Sequence, residues 1–117
     1  HWDHGHHWDQ AGRVVDFMKR KANGRPCVLT GDFNVWGSKD PIGYIKDQMN
    51  LGQASPDGNT WCAGGTVDYI LADKGRFSFS GQVIDSANCD AHKCAWHSCD
   101  SKLSDHNLLV AGVKPVG

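Results

Sequence analysis

Three short polar clusters in this sequence stand beside apolar runs and carry side chains that can do chemistry. They are "TGDFN" at residues 30–34, "VDYI" at 67–70 and "SDHN" at 104–107. Asp32 and Asn34 are two residues apart, so on an extended chain their side chains point to the same side. A carboxylate and a carboxamide placed together can bind a metal ion or an anionic group.

Each cluster also has a purely structural interpretation. A Gly-Asp pair is common in turns, Asp68 can be a buried carboxylate satisfied by backbone groups, and residues 104–106 can form a cap or a loop. However, α/β sheets build their sites from polar groups at strand ends. The three clusters together therefore form one candidate site.

Two segments that could position these clusters have the apolar periodicity of helices. In "DQAGRVVDFMKRKANG", Asp9 is suited to cap the start and Gly24 to end the helix. In "GSKDPIGYIKDQMNLG", Asp40 is suited to cap the start and Pro41 to occupy the first turn. The sequence therefore predicts two helices, each with one apolar face.

Four segments have the composition of strands. They are "PCVLTGD", "TVDYILAD", "RFSFSGQVID" and "HNLLVAGVKPV". In the third, Phe77, Phe79 and Val83 alternate with polar residues, as in a half-buried strand. The mixture of helices and strands predicts a layered α/β fold. The tryptophans at positions 2, 8, 61 and 96 are interpreted as core residues in preference to residues that stack on a substrate.

Length and charge limit the kind of protein. The 117 residues suit one modest domain, and no stretch is long and apolar enough to cross a membrane. The chain has 12 Lys and Arg against 13 Asp and Glu, a formal net charge of −1. It therefore has no overall positive field that attracts nucleic acid, and any contact with a polyanion must be local.

Five cysteines in so short a chain favour a secreted protein with disulfides. Two of Cys62, Cys89, Cys94 and Cys99 are expected to be joined. Because the number is odd, either Cys27 is a free buried thiol or one cysteine pairs outside the chain. The stretch "CDAHKCAWHSC" also suggests zinc, but its spacing fits no standard two-plus-two pattern, so disulfides are the preferred interpretation.

Four segments occur in an order that resembles a known family. "HWDHGHHWDQAGR" is similar to a Thr-His-Leu-Asp-His segment followed by an arginine-bearing helix, and "GDFN" to a Gly-Asp-Phe/Leu-Asn motif. "VDYIL" is similar to an Ile-Asp-Tyr-Ile strand, and "SDHNLL" to a closing Ser-Asp-His. These motifs belong to the endonuclease/exonuclease/phosphatase family, metal-dependent phosphodiesterases that include pancreatic-type deoxyribonucleases, abasic-site endonucleases and neutral sphingomyelinases.

The resemblance implies catalytic roles for six side chains: His1, Asp32 and Asn34 at the phosphate, Asp68 orienting a catalytic partner, and Asp105 and His106 as the terminal pair. His106 would take a proton from the attacking water while Asp105 or another carboxylate holds its tautomer. Asp32, Asn34 and Asp105 are the implied metal ligands, and hard oxygen ligands suit Mg²⁺ or Mn²⁺ better than zinc.

The implied reaction is metal-dependent hydrolysis of a phosphodiester bond. A secreted nuclease that acts on DNA or RNA is the favoured interpretation. A sphingomyelinase-like lipid phosphodiesterase and a non-catalytic fragment or binding module of the same fold are the alternatives.

The family's metal-binding glutamate precedes the histidine that corresponds to His1, and it has no counterpart here. The resemblance therefore implies that residues 1–117 are the C-terminal part of one domain. That part is half of a four-layered α/β sandwich, with a mostly antiparallel sheet and covering helices, completed by an N-terminal half. We expect the chain alone to be inactive. The partner sheet is expected to cover the face that carries Val28, Val67, Tyr69, Phe77, Phe79 and Leu109 or their neighbours.

Overall fold

The computed structural model describes residues 7–33, 41–58, 60–61, 65–84 and 106–116. Within these ranges the chain is a mixed α/β unit of two helices and five strands. None of the described helices is long and apolar enough to cross a membrane. In chain order the elements are α1 (His7–Ala22), β1 (Val28–Asp32), α2 (Ile42–Met49), β2 (Leu51–Gln53), β3 (Asp68–Asp73), β4 (Phe77–Ile84) and β5 (Leu108–Pro115).

Helix α1 begins at His7, earlier than the sequence predicted. Asp9 therefore lies in the first turn instead of at the cap, where its negative charge is favourable beside the helix N-terminus. Its carboxylate Oδ2 is 3.6 Å from Nη2 of Arg13, one turn further on, in an exposed pair that contributes little to stability. Ala11 and Val15 form the buried face of the helix, as its periodicity predicted.

The C-terminal end of α1 is closed by local backbone and side-chain contacts. Asn23 and Gly24 both have positive φ, 50° and 82°, and Gly24 was predicted to end this helix. The Arg25 guanidinium folds back, so that Nε donates to the Ala22 carbonyl at 3.0 Å and Nη2 donates to the Lys21 carbonyl at 2.9 Å. The last carbonyls of the helix thereby find donors.

Helix α2 follows Pro41, which occupies the N-cap position without a side-chain capping hydrogen bond. Pro41 thus lies one position earlier than predicted, and the predicted cap Asp40 is outside the described residues. The helix is capped at its C-terminal end by Asn50, a left-handed residue (φ 52°) whose N–H donates to the Lys46 carbonyl. This turn allows Leu51 to start β2, whose first two residues the sequence analysis had included in the helical segment.

Strand β3 is the centre of a three-stranded antiparallel sheet of order β1-β3-β2. Val67, Tyr69 and Leu71 are at most 1% exposed and alternate along the chain, so they point to one face. The prediction that Tyr69 meets a partner sheet is wrong, because Tyr69 packs in one cluster with residues of α1 and α2. The hydrophobic core comprises Ala11, Val15, Phe33, Ile42, Ile45, Leu51, Tyr69 and Leu71.

Strands β4 and β5 form a second, two-stranded antiparallel sheet, in which Ile84 lies opposite Leu108. The alternation predicted for β4 is confirmed, since Phe77, Phe79 and Val83 are half-buried while the serines and the glutamine between them are exposed. The last strand is also confirmed, with both ends shorter than the predicted segment.

The edge of β3 beyond β2 is filled by side chains instead of by another strand. The Ser55 Oγ accepts a hydrogen bond from the N–H of Ile70 at 3.0 Å. The Thr60 Oγ1 accepts from the N–H groups of Val67 and Asp68 at 3.0 and 3.1 Å. These hydroxyls take the backbone donors that a neighbouring strand would pair. The single sheet expected from the sequence is therefore divided into two.

Candidate active site

Asp32 ends β1 and Asp68 begins β3, and the antiparallel register places them directly opposite each other. Both lie on the sheet face opposite to the one that the helices cover, because they alternate with buried Phe33 and Tyr69. Their side chains are 32% and 18% exposed. Two carboxylates at opposed register positions repel each other, so this pair favours a hydrogen-bond donor or a cation beside it.

The imidazole of His106 lies beside both carboxylates. Its Nδ1 is 2.8 Å from Oδ2 of Asp68, a hydrogen-bond distance, and its Nε2 is 3.8 Å from Oδ2 of Asp32. We assign the Nδ1 proton to the bond with Asp68, which leaves the Nε2 lone pair on the side of Asp32. The sequence had left open which carboxylate orients His106, and the geometry identifies Asp68.

Backbone contacts from residues 60–61 hold the segment that carries His106. Trp61 forms an isolated antiparallel bridge with His106, and the N–H of Asn107 donates to the Thr60 carbonyl at 2.9 Å. The Trp61 ring centroid is 6.5 Å from that of the imidazole, with the two planes 31° apart. A half-buried aromatic ring thus forms part of the wall around His106.

Thr60 and Trp61 are site residues that the sequence analysis did not assign to the site. Trp61 was interpreted as core, yet it lies beside the imidazole. Trp8, interpreted in the same way, is 57% exposed and contacts the ring of Tyr44 edge to face at 6.0 Å. A lone threonine after a turn-rich loop carries no signal of its own, because its importance comes from bonds to backbone groups distant in sequence.

Tyr69 lies next to Asp68 in the chain but on the helix-covered face. Burial, followed by the negative charges of Asp57 and Asp68, raises the pKa of Tyr69 to about 12. Its hydroxyl donates to the Thr66 carbonyl at 3.1 Å. Tyr69 is therefore a neutral hydrogen-bond donor at ordinary pH. Its bond to Thr66 holds the start of β3 on the helix-covered face.

Oxygen and nitrogen atoms of Asp32, Asp68 and His106 all lie within 4.8 Å of one another, close enough to hold one metal ion. Two carboxylates and an imidazole, all half-buried, are a donor set that suits a divalent cation. Since Nδ1 of His106 is bonded to Asp68, the Asp32 carboxylate is the ligand whose oxygens are best placed for a cation. The described residues therefore fit a divalent metal.

Several predicted residues lie outside the described residues. They include three of the six predicted catalytic side chains, His1, Asn34 and Asp105. The same is true of Cys62 and of the cysteines in residues 89–99, so the disulfide prediction and the rejected zinc alternative both fall there. Cys27 is described: it is a free, half-buried thiol just before β1, and its Sγ lies 3.5 Å from the Arg25 carbonyl.

Comparison with known proteins adds a second line of evidence. The model of the Endonuclease/Exonuclease/phosphatase family matches residues 2–106, nearly the whole chain. Searches of curated proteins and of solved structures found no match. The matched range contains five of the six predicted catalytic positions, all except His1, and includes the three that the fold brings together. This chain is therefore a member of the endonuclease/exonuclease/phosphatase family.

Proposed function

We propose that this protein is a metal-dependent phosphodiesterase in which His106 is the general base. Family membership implies metal-dependent phosphoester hydrolysis. The finer proposal is carried by one observation, the position of His106 between two carboxylates. Its Nδ1 is 2.8 Å from Asp68 and its Nε2 is 3.8 Å from Asp32.

The proton chemistry follows from these two distances. Asp68 accepts the Nδ1 proton, holds the ring in one orientation and stabilises the imidazolium that forms when Nε2 takes a proton from water. The 3.8 Å between Nε2 and Asp32 exceeds a hydrogen bond, and an ionised carboxylate has no proton to donate, so Asp32 does not engage the Nε2 lone pair. Asp32 lies instead where it can orient the attacking water.

The proposed metal ligands are Asp32, Asn34 and Asp105. When bound, Mg²⁺ or Mn²⁺ supplies Lewis-acid stabilisation of the negative charge that develops on the phosphate. The half-buried carboxylate of Asp32 supports this assignment, because hard oxygen atoms are the ligands that these ions prefer. The Asn34 amide and the His1 imidazole are proposed donors to the phosphate oxygens.

The proposed substrate is DNA or RNA, and the proposed location is extracellular. Trp61 supports a nucleic acid, since an aromatic ring beside the site can stack on a base. Exposed basic residues on α1, among them Arg13, Arg20 and Lys21, can contact phosphates locally although the net charge is −1. The five cysteines support secretion.

We further propose that this α/β unit is the C-terminal half of a four-layered sandwich. The face of the first sheet that carries Asp32 and Asp68 also carries Val28, which is 45% exposed. An N-terminal half of the same domain, with its own sheet, would pack on that side and supply further metal ligands.

The test is an assay of the complete enzyme on a nitrophenyl phosphodiester, the matching phosphomonoester, DNA, RNA and sphingomyelin. We expect diester and nucleic acid cleavage with Mg²⁺ or Mn²⁺, loss of activity in a chelator, and no recovery with zinc alone. Asp68→Asn is expected to lower turnover by about a hundredfold.

Asp73→Asn is the matched control, because Asp73 ends the same strand and its carboxylate contacts only the local turn through the N–H of Gly75 among the bonds described. This variant should retain turnover. Full activity in the chelator, or an equal loss in both variants, would refute the proposal. Cleavage of sphingomyelin alone would favour the alternative of a lipid phosphodiesterase.

A further inference from the structure

Among the described residues near the site, Thr60 has the most buried polar side chain. Thr60 is 0% exposed. Its Oγ1 accepts two backbone hydrogen bonds, from Val67 at 3.0 Å and from Asp68 at 3.1 Å. One hydroxyl therefore holds the backbone at the point where the Asp68 side chain leaves the chain.

The backbone of the same residue reaches the other half of the Asp68–His106 pair. The Thr60 carbonyl accepts from the N–H of Asn107 at 2.9 Å, and Trp61 is bridged to His106. Asp68 and His106 are 38 positions apart in sequence. Residues 60–61 thus contact both partners of the Asp68–His106 hydrogen bond. Asp68 begins β3 in the first sheet, and His106 lies just before β5 in the second.

We infer that Thr60 is a positioning residue for catalysis: its buried side chain and carbonyl together set the distance between Asp68 and His106. A hydrogen bond of 2.8 Å is sensitive to small shifts of either partner. The described hydrogen bonds of Thr60 go to backbone groups, so it acts through the placement of Asp68 and His106. Its catalytic consequence rests on the proposed function, whereas its effect on the Asp68–His106 bond is independent of it.

The test removes only the Oγ1 atom of Thr60, which accepts the two backbone hydrogen bonds. Thr60→Val has nearly the same shape but leaves the N–H groups of Val67 and Asp68 unpaired, whereas Thr60→Ser keeps the oxygen. We expect Thr60→Val to lower kcat by about a hundredfold with KM changed less than about twofold, since misplaced catalytic groups lose rate more than substrate binding. Thr60→Ser should recover most of kcat.

Two control variants separate positioning from general damage. Thr66 is also buried, and its Oγ1 accepts from the N–H of Gly58 at 2.9 Å and donates to the Gly58 carbonyl at 2.8 Å. Ser55→Ala removes the acceptor of the Ile70 N–H on the same strand as Asp68. Both Thr66→Val and Ser55→Ala should lower Tm while kcat stays near that of the unmodified protein.

Proton NMR gives a readout that does not depend on activity. The hydrogen-bonded Nδ1 proton of His106 should give a downfield signal, assigned by its absence in His106→Ala. We expect this signal to be lost or shifted in Thr60→Val and retained in Thr60→Ser, Thr66→Val and Ser55→Ala. If Thr60→Val does not fold, Thr60→Cys, whose sulfur is a weak acceptor, takes its place.

The outcomes distinguish the two proposals. An unchanged signal and unchanged kcat in Thr60→Val would overturn the positioning role, and so would equal losses in Thr66→Val. If the complete enzyme cleaves no phosphoester at all, the proposed function fails. In that case the NMR signal alone still decides whether Thr60 sets the Asp68–His106 bond.

Discussion

At the scale of single residues, the site depends on one imidazole placed beside two opposed carboxylates. The β1–β3 register puts Asp32 opposite Asp68, an arrangement that is unfavourable for two negative charges. His106 offsets this, because it donates to Asp68 at 2.8 Å and faces Asp32 at 3.8 Å. In the proposed function, the same contacts that stabilise the two carboxylates also orient Nε2 for proton transfer.

Replacement of His106 tests the role of its Nε2 atom. His106→Ala in the complete enzyme is expected to lower turnover by at least about a hundredfold, as loss of a general base does. His106→Asn is the informative second variant, because its amide can still donate to Asp68 but has no base on the other side. Both should lose activity in a steady-state assay. Near-normal turnover in His106→Asn would show that Nε2 is not the base.

The pKa of Tyr69 predicts how stability changes at alkaline pH. Burial, then Asp57 and Asp68, raises this pKa to about 12 in the folded chain, against 10.0 for an ordinary tyrosine. The stabilising contribution is therefore complete below pH 10 and is lost as pH rises towards 12. In that window the free energy of unfolding can fall by about 1.4 kcal/mol per pH unit.

Urea unfolding between pH 9 and pH 11.5 measures this effect, with Tyr69→Phe as the comparison. The free energy of unfolding of the unmodified protein should fall relative to that of Tyr69→Phe above pH 10, because only the unmodified protein carries this tyrosine. A difference that stays constant across the range would contradict the prediction.

At the scale of elements, the connection from β2 to residue 61 joins the two sheets. In this connection, the hydroxyl oxygens of Ser55 and Thr60 accept hydrogen bonds from backbone N–H groups of β3 and of the residue before it. Strand β4 passes close to the backbone of Ala54. A Cβ added at Gly81 would lie 2.4 Å from the Ala54 carbonyl oxygen and 2.8 Å from that of Val110. The two sheets therefore approach each other at a position that only glycine can occupy without a shift.

Alanine substitutions at two strand glycines test this close approach. Gly81→Ala is expected to destabilise the fold by about 1–3 kcal/mol, the usual cost of overpacking, because the contacted atoms belong to the backbone. Gly112→Ala is the matched control, since a Cβ there meets nothing within 4 Å. Thermal unfolding should show a lower Tm for the first variant and an unchanged or higher Tm for the second. Equal Tm values would mean that the sheets separate easily at Gly81.

At the scale of the whole molecule, the two faces of the first sheet differ in what covers them. Helices α1 and α2 bury one face, while the other carries the candidate site and exposed Val28. The second sheet adds Ile84, Leu108 and Val110, which are 38%, 53% and 40% exposed and share one face. Neighbouring exposed apolar side chains of this kind are typical of an interface. We propose that the N-terminal half of the domain covers them.

The exposed face of β5 predicts self-association of the isolated chain. Val110→Thr, alone or with Leu108→Thr, should lower the apparent mass in sedimentation and reduce binding of a hydrophobic dye, because threonine keeps strand propensity but is more polar. Val113→Thr is the matched control: it is also 40% exposed but lies on the opposite face. A monomeric chain that binds no dye would contradict the prediction.

Features that depend on neighbours in sequence were predictable from the sequence. The apolar periodicity located α1 and α2, and Gly24 was identified at the end of α1 because a left-handed residue there suits glycine. Alternation located β4, and the ordered motifs identified the family. The sequence also selected Asp32, Asp68 and His106 as one candidate site, since these residue types recur together in the family's motifs.

Features that depend on pairing between distant segments were decided only by the tertiary structure. The register places Asp32 opposite Asp68. The sequence does not predict this pairing, because side chains alternate along a strand in the same way whichever strand pairs with it. The contact of Asp68 with His106 and the division into two sheets are also long-range features, and they involve the bonds of Thr60. Its hydroxyl and carbonyl bond to segments 8 and 47 positions away, and no local pattern in a sequence reports such bonds.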